Sequence, residues 1–413
     1  MARRSEKKPW AVLVYMVSDA PDDPKIDAVA QNDLKQIFEA INPARTHLAV
    51  QVDHSRGEGV LRTIAGDAPE LLPETNASDP GTLKGFLKAA LDRCPADRYA
   101  VLLWGHSKGT AGLFTDAVPG GISRTLTLQK LAGALRGAFT RPIDIVLFKN
   151  CCLSALETAY EHQGVARFII SSQIGVPGKN WPYPEMFGSL SPRPRTTLSV
   201  ATAMVDALGD FYSRKKNRRG KAEVPFTLLN PNAAASLTGP MKALVAALRI
   251  ARYDKDVGNR VRDVFMEPDP SRRRRDLEDS ALPDVVALCQ HLRKLGVADL
   301  TAAVDVLEHR VRTKLVLQHR PKNSSFHGVG INYPPAVSVV PPSIFPRFPD
   351  GYDELRLCRA TGWQTIALDT LFAVKTDAFD EVIPVARELA YAILSQRLGL
   401  TMKPPPLRDY RSS

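Results

Sequence analysis

Two stretches of the chain, YAVLLWGHSKG at residues 99–109 and IDIVLFKNCC at residues 143–152, decide the fold. Each opens with an apolar run of the length typical of a buried strand, and each run ends in polar or turn residues. Similar runs occupy Ala11–Val17, Leu48–Asp53 and Arg167–Gln173. Segments with helical periodicity separate these runs, and the alternation predicts a doubly wound α/β domain around a mostly parallel sheet. The predicted helices cover Ala28–Ile41, Gly81–Arg93, Leu128–Ala138 and Leu153–His162.

The rest of the chain has a different pattern. Amphipathic periodicity at residues 233–248 and 282–318 predicts helices, and GVGINYP at 328–334 predicts a strand that returns to the main sheet. The proline-rich, polar end is expected to fray. The predicted organisation is a first domain at residues 9–232, a mainly helical region at 233–320, a C-terminal region with the returning strand at 321–402, and a flexible tail at 403–413.

Composition limits the class of protein. The 413 residues are 44% hydrophobic and 24% charged, which is typical of a globular chain with an ample core. No apolar run approaches the roughly 20 residues that cross a bilayer. Five cysteines, an odd number, argue against a disulfide framework. The opening MARRSEKKPW has no apolar segment of the kind found in a signal peptide, so we expect a cytoplasmic protein with no membrane partner.

The basic character of the chain suggests a minor alternative function. The formal net charge is +11, and basic residues concentrate in SRKKNRRGK at 213–221 and SRRRRD at 271–276. Nucleic-acid binding would favour aromatic residues among these charges, and neither cluster contains one. Solvated loops explain the clusters better, so nucleic acid is not the expected partner.

The ends of the two deciding stretches carry reactive side chains. The first apolar run leads into His106, and the second leads into Cys151. The carboxyl ends of parallel strands open on one crevice, so neighbouring strands would bring the imidazole and the thiol together. An imidazole can take a proton from a thiol and return it to a leaving amine. Alternatively, His106 caps a turn and the cysteines are small buried apolar groups.

Five segments together resemble the clostripain-like cysteine peptidases, in the clan that also holds caspases, legumain, gingipains and separase. In chain order these segments are WAVLVYMV at 10–17, PADRYAVLLWGHSKG at 95–109, FKNCCLSALETAY at 148–160, SSQIGVPGKNWPY at 171–183, and GVGINYP. The resemblance implies a caspase-like α/β/α sandwich with an additional helical C-terminal region. It also implies a cysteine endopeptidase that acts on proteins or peptides through a thioester.

The resemblance assigns roles to particular residues. His106 and Cys151 take the positions of the catalytic pair, and Glu157 and Tyr160 then fall in register. The backbone N–H groups of Ser107 and Cys151 would hold the oxyanion. Cys152 is expected to pack in the interior, with a resolving or substitute thiol as the alternative. Glu157 is expected to satisfy a backbone group beneath the site.

Two positions depart from the family pattern. Ser107 replaces the usual glycine after the histidine; it still supplies a backbone N–H to the oxyanion, but its side chain restricts the backbone. Lys149 stands where relatives that cleave after arginine or lysine carry an aspartate. A lysine there would repel a basic P1 side chain, so we predict an acidic or neutral P1 residue. The alternative is that Lys149 extends to solvent while Gln173 or residues near Lys179 build the pocket.

The resemblance also raises the question of activation. Relatives are often cut between the histidine and cysteine segments, and Arg124 in the loop Thr115–Thr125 would be a basic cleavage point for an activating protease. No cofactor is required on this reading, although some relatives use calcium. No metal ligand is assigned, because the acidic turn Asp19–Asp23 is weak evidence for one. The rival readings are a scaffold of this fold that has lost catalysis and a basic nucleic-acid-associated protein.

Overall fold

A computed structural model describes most of the α/β part of the chain and selected parts of the remainder. The described residues are 6–20, 23, 25–54, 60–64, 68–118, 121–122, 125–178, 181–190, 195–217, 224–251, 254–266, 282–321, 326–332 and 351–366. No helix in these ranges is both long enough and apolar enough to cross a membrane.

A nine-stranded sheet forms the centre of the protein, with a separate two-stranded hairpin beside it. The strands are β1 (Lys8–Val17), β2 (Thr46–Asp53), β3 (Val60–Ile64), β4 (Glu70–Leu72), β5 (Ala96–Trp104), β6 (Ala117–Val118), β7 (Gly121–Ile122), β8 (Ile143–Lys149), β9 (Ala166–Ser171), β10 (Phe226–Leu229) and β11 (Val316–Arg320). The five predicted strands are β1, β2, β5, β8 and β9, each within two or three residues of its predicted bounds.

The strand order across the sheet is β11-β10-β9-β8-β5-β1-β2-β3-β4. The central five strands, from β9 to β2, pair in parallel. The two outer strands on each side pair antiparallel. This confirms the predicted parallel core of the sheet and adds antiparallel edges that the sequence pattern did not reveal.

Helices cover both faces of the sheet. They are α1 (Ile26–Ala40), α2 (Pro80–Arg93), α3 (Leu128–Ala138), α4 (Leu156–Glu161), α5 (Tyr183–Gly188), α6 (Thr197–Ser213), α7 (Ala234–Ala251), α8 (Lys255–Met266), α9 (Val285–Arg293), α10 (Ala298–Arg310) and α11 (Arg356–Thr361). Capping side chains determine where several of these helices begin. The Asp79 side chain accepts a hydrogen bond from the Gly81 N–H at 2.5 Å, and Pro80 occupies the first turn of α2.

The alternation of side chains along each strand divides the core into two layers. On one face Leu13 and Phe148 pack with residues of α2, α3, α4, α7, α9 and α10. On the other face Val14 and Leu147 pack with residues of α1, α5 and α6. Period-two alternation with both faces buried is what a doubly wound sheet requires. The observed architecture is thus the predicted α/β/α sandwich.

The late segment differs from its prediction. Residues 328–332 do not form a strand of the main sheet, and Gly330 instead makes isolated bridges to Ala155 and Asp284. The Gly330 N–H donates to the Ser154 carbonyl at 2.8 Å, and the Leu156 N–H donates to the Gly330 carbonyl at 2.9 Å. The strand that does reach the sheet edge in this region is β11, which the pattern at 282–318 had assigned to a helix.

The mainly helical region is continuous with the sheet. Buried residues of α7, α9 and α10 belong to the same apolar cluster as those of β1 and β8, and β11 ends the sheet. The domain boundaries proposed from the sequence remain predictions, and the tail at 403–413 lies outside the described residues.

Replacing Gly330 by alanine tests how tightly the late segment is held. An added Cβ would lie 2.5 Å from Leu282 Cβ and 3.1 Å from the Pro283 carbonyl oxygen. We expect Gly330→Ala to reduce the free energy of unfolding by about 1–3 kcal/mol, as overpacking does. The control is Gly239→Ala in α7, where a Cβ meets nothing within 4 Å, so roughly 0.5–1 kcal/mol of stabilisation is expected. Equal effects in urea denaturation would contradict this assignment.

Candidate active site

The two loops that carry the candidate catalytic pair leave adjacent parallel strands. β5 and β8 pair in a register that places Trp104 opposite Lys149. His106 and Cys151 each lie two residues beyond this pair, at the carboxyl end of the sheet. The structure therefore places the two residues on neighbouring loops at the same edge of the sheet.

Hydrogen bonds join the two loops to each other. The Ser107 hydroxyl donates to the Cys151 carbonyl, and the Asn150 side-chain amide donates to the Gly105 carbonyl at 2.7 Å. Gly105 has φ of 145°, and a Cβ there would lie 2.8 Å from the Val17 carbonyl oxygen, so the turn before the histidine needs glycine. The relative position of the loops is fixed by these contacts.

His106 is accessible and has an acidic partner. Its side chain is 43% exposed, and its Nε2 lies 3.2 Å from Asp23 Oδ2. The His106 carbonyl accepts a hydrogen bond from the Phe114 N–H at 3.0 Å, which joins the two ends of the loop between these residues. The contact with Asp23 was not predicted, and the acidic turn in which Asp23 lies was its one signal in the sequence.

The two adjacent cysteines lie in different environments. Cys151 is partly exposed, and its Sγ accepts a hydrogen bond from the Val176 N–H at 3.2 Å. Cys152 is 9% exposed, packs with Ala155 and Leu282, and donates its N–H to the Ile174 carbonyl at 3.1 Å. The expected packing role of Cys152 agrees with these contacts.

The chain after the cysteines is a turn and not yet a helix. Cys152 has a positive φ of 56°, and α4 begins only at Leu156, whereas a helix was predicted from Leu153. The Ser154 N–H donates to the Ser172 carbonyl at 2.9 Å. Tertiary hydrogen bonds therefore replace the helical conformation that local periodicity predicts for these residues. Because α4 begins five residues beyond Cys151, the amino-terminal end of its dipole does not lie at the Cys151 sulfur.

Glu157 lies buried beneath the site, where the family resemblance placed it. Its Oε1 accepts hydrogen bonds from the Asn332 N–H at 2.7 Å and the Tyr352 hydroxyl at 2.5 Å. Burial raises the pKa of Glu157 to about 7, and these two hydrogen bonds oppose the rise. The expectation that Glu157 satisfies a backbone group agrees with this geometry.

Lys149 does not extend to solvent. The residue is 5% exposed, and its ammonium group forms a buried ion pair with Asp33 of α1. Burial lowers the pKa of Lys149, and the Asp33 charge opposes this shift. The Asp33 Oδ2 also accepts hydrogen bonds from Trp104 Nε1 at 2.7 Å and the Tyr183 hydroxyl at 2.8 Å. The solvent-exposed alternative for Lys149 is thus wrong.

Aromatic rings enclose the Lys149 ammonium group. Its Nζ lies 5.4 Å from the ring centre of Trp104, 5.7 Å from Trp181 and 5.8 Å from Tyr183. Burial raises the pKa of nearby Tyr212, and negative charge on Asp33 and Cys151 raises it further.

Of the other predicted pocket residues, the structure describes Gln173. Gln173 is buried and its side-chain amide donates to the Leu282 carbonyl at 3.1 Å. Lys179 and the predicted cleavage point Arg124 lie outside the described residues. Sequence reasoning also missed Asp33, although an aspartate among the apolar positions of a predicted helix was a usable signal.

One acidic cluster near the same sheet edge offers oxygen ligands. Carboxylate oxygens of Asp19, Glu74 and Asp116 lie within 4.8 Å of one another. They stand beside β1 and β2, on the far side of His106 from Cys151 in the strand order.

The raised pKa of Glu157 predicts a pH-dependent effect of Glu157→Gln. Below the ordinary pKa of 4.5 the carboxyl is protonated in both the folded and unfolded protein. Between pH 4.5 and about 7 only the unfolded state loses the proton, so this residue's contribution to stability falls with rising pH. The variant should gain stability relative to wild type over this range, by at most about 3 kcal/mol. Urea denaturation at several pH values measures the difference, and a constant difference would refute the assignment.

Comparison with known proteins identifies the family. The model of the clostripain family matches residues 14–292, which include both strand-end loops. No curated protein matches the chain.

Solved structures show the same fold. A secreted C11 cysteine protease from Bacteroides thetaiotaomicron in complex with an irreversible peptide inhibitor is similar with a TM-score of 0.59 and 17% identity, covering 86% of this chain and 99% of that chain. An inactive zymogen C11 protease from Parabacteroides distasonis gives a TM-score of 0.58, 17% identity, and the same coverage of 86% and 99%. Since the family model spans most of the chain and the fold agrees, this protein belongs to the clostripain family and is a cysteine endopeptidase with a caspase-like fold.

Proposed function

We propose that Cys151 and His106 form the catalytic pair of this endopeptidase. The observation that supports the pair most strongly is the register of β5 and β8, together with the Ser107–Cys151 hydrogen bond across the two loops. Both side chains are accessible to a substrate. The Asp23 carboxylate would orient the imidazole.

The proposed reaction proceeds through a thioester. His106 takes the proton from the Cys151 thiol, and the sulfur attacks the carbonyl carbon of the scissile peptide bond. The carbon–nitrogen bond then breaks, and the amine leaves with the proton from His106. Water attacks the thioester, with His106 again accepting a proton, and the acid product leaves as the thiol re-forms.

The oxyanion is assigned to backbone donors. The N–H groups of Ser107 and Cys151 are the candidates, because both follow the strand ends that face the substrate. The Cys152 N–H is committed to the Ile174 carbonyl and is not a candidate. The Ser107 side chain is held by the Cys151 carbonyl, so the hydroxyl supports the backbone here in a way that a glycine could not.

We further propose that the P1 residue is not basic. The ion pair with Asp33 neutralises Lys149 within the protein, so the pair offers no net negative charge to an arginine or lysine. A neutral P1 side chain suits this arrangement better than an acidic one does, because the Lys149 charge is already paired with Asp33. Cleavage by a separate activating protease at Arg124, and a cytoplasmic location, remain proposals from the sequence.

Active-site labelling tests the catalytic pair. A peptidyl electrophile should modify wild-type protein at Cys151 alone, and His106→Ala should slow the modification by at least about 100-fold, the lower range for a general base. Intact-protein mass spectrometry with peptide mapping identifies the site. The matched control is Cys152→Ala, which should be labelled like wild type. A folded wild-type protein that is never labelled would favour the non-catalytic scaffold.

A set of matched peptides tests the pocket. Three substrates that differ only at P1, with Leu, Asp or Arg, should be cleaved by the wild-type enzyme with the Arg peptide the poorest by about tenfold or more in kcat/KM. One uncompensated charge contact of about 1.4 kcal/mol gives a factor of that size. Cys151→Ala must abolish all three cleavages, which excludes a contaminating protease. Efficient cleavage of the Arg peptide would contradict the pocket assignment while leaving the catalytic pair in place.

A further inference from the structure

Asn332 is hydrogen-bonded to both of the segments that carry the proposed catalytic pair. Its backbone N–H donates to Glu157 Oε1 at 2.7 Å, which attaches it to the segment that follows Cys151. Its side-chain amide donates to the Thr110 hydroxyl at 2.8 Å, and Thr110 lies four residues after His106. Asn332 comes from a distant part of the chain, 175 residues after Glu157 and 222 residues after Thr110.

The loop after His106 is attached to the rest of the site at its start and at its tip. At its start, the Ser107 hydroxyl donates to the Cys151 carbonyl. At its tip, Thr110 is buried, and its hydroxyl accepts the hydrogen bond from Asn332. The polar contact at the tip therefore opposes displacement of the loop that carries the histidine.

Hydrogen bonds inside the loop connect its tip to the histidine. The Lys108 N–H donates to the Gly112 carbonyl at 2.9 Å, which closes the turn that contains Thr110. The Phe114 N–H donates to the His106 carbonyl at 3.0 Å, which closes the base of the loop. Because these bonds hold the loop together, a displacement at Thr110 is passed to the backbone of His106.

Residues of the segment 351–366 hold the backbone of Asn332. The Asn332 carbonyl accepts a hydrogen bond from Trp363 Nε1 at 2.9 Å, and the Tyr352 hydroxyl lies 3.0 Å from the same oxygen. Both aromatic side chains are buried, and the Tyr352 hydroxyl also contacts Glu157 Oε1 at 2.5 Å. A buried network of this kind restricts the conformations of its members. The Asn332 amide is thus presented to Thr110 from a fixed backbone.

We propose that Asn332 is a positioning residue for His106. Its amide holds the loop at Thr110 relative to the segment after Cys151, and so sets the position of the imidazole relative to the thiol. Proton transfer from a thiol to a general base needs the two groups within hydrogen-bond reach, so a small displacement slows the reaction. Asn332 acts through the loop and not by contact with substrate. The inference rests on the proposed roles of Cys151 and His106.

Two substitutions in the full-length protein remove the same hydrogen bond from opposite sides. Asn332→Ala leaves the backbone N–H and carbonyl of residue 332 with their partners, and Thr110→Val keeps the size of the side chain without its hydroxyl. At neutral pH each variant should slow alkylation of Cys151 by iodoacetamide by roughly tenfold, less than the 100-fold that a 1 Å misplacement can cost. The double variant should be no slower than the slower single variant, because only one interaction is lost.

Combination with His106→Ala tests whether Asn332 acts through the imidazole. In that background there is no base to position, so Asn332→Ala should cause no further slowing of the alkylation. An ordinary thiol has a pKa of about 8.5 and ionises without help above it, so the single variants should approach the wild-type rate near about pH 9.5. A slowing that persists in the His106→Ala background, or that is undiminished at high pH, would overturn the positioning role.

Asn217→Ala is the matched control for loss of a buried amide. Asn217 is 8% exposed, and its side-chain amide donates to the Phe211 carbonyl at 2.9 Å, outside the two loops of the site. This variant should be alkylated at the wild-type rate. Alkylation of Cys151 that depends on His106 but is unchanged in Asn332→Ala and Thr110→Val would refute the role of Asn332 alone. Alkylation that His106→Ala does not slow would refute the catalytic pair itself.

Discussion

The parallel pairing of β5 with β8 is the constraint on which the rest of the site depends. Backbone hydrogen bonds set the register of two buried strands, and a slip of one residue would exchange the faces of every side chain in a strand. Because both faces are packed, no such slip is tolerated. The fixed register places the loops that carry His106 and Cys151 at the same edge of the sheet. Hydrogen bonds through Ser107 and Asn150 then join the two loops. The position of the nucleophile is thus set mainly by the sheet and only secondarily by the loops.

The sequence predicted what depends on local pattern. Apolar runs located the five parallel strands because those strands are buried on both faces, and the strand ends located His106 and Cys151. It failed where distant contacts override the pattern. The turn after Cys152 replaces a predicted first helical turn, since Ser154 bonds to the Ser172 carbonyl. The segment around Gly330 likewise has strand-like composition, but its backbone partners are the nucleophile segment and the start of α9.

The most important features that the sequence-based prediction missed are interactions between charged residues. From the sequence, Lys149 was expected to face either the substrate or the solvent, because its ion-pair partner Asp33 is 116 residues away in the chain. Asp33 in turn shares a buried stripe with Ile26, Ala30 and Ile37 on α1, so the helix presents one anion to an otherwise apolar layer. The ion pair places opposite charges together in the interior, so neither charge is left uncompensated. A pair of residues so far apart in the chain cannot be recognised from either segment alone.

The contacts of Gly330 and Asn332 also have a consequence for biosynthesis. Gly330 and Asn332 hold the nucleophile segment through Ser154, Leu156 and Glu157, which lie about 175 positions earlier in the chain. A nascent polypeptide emerging from the ribosome amino-terminus first cannot complete that bracing until translation has passed residue 332. The contacts of the nucleophile segment are therefore complete only after most of the chain has been synthesised.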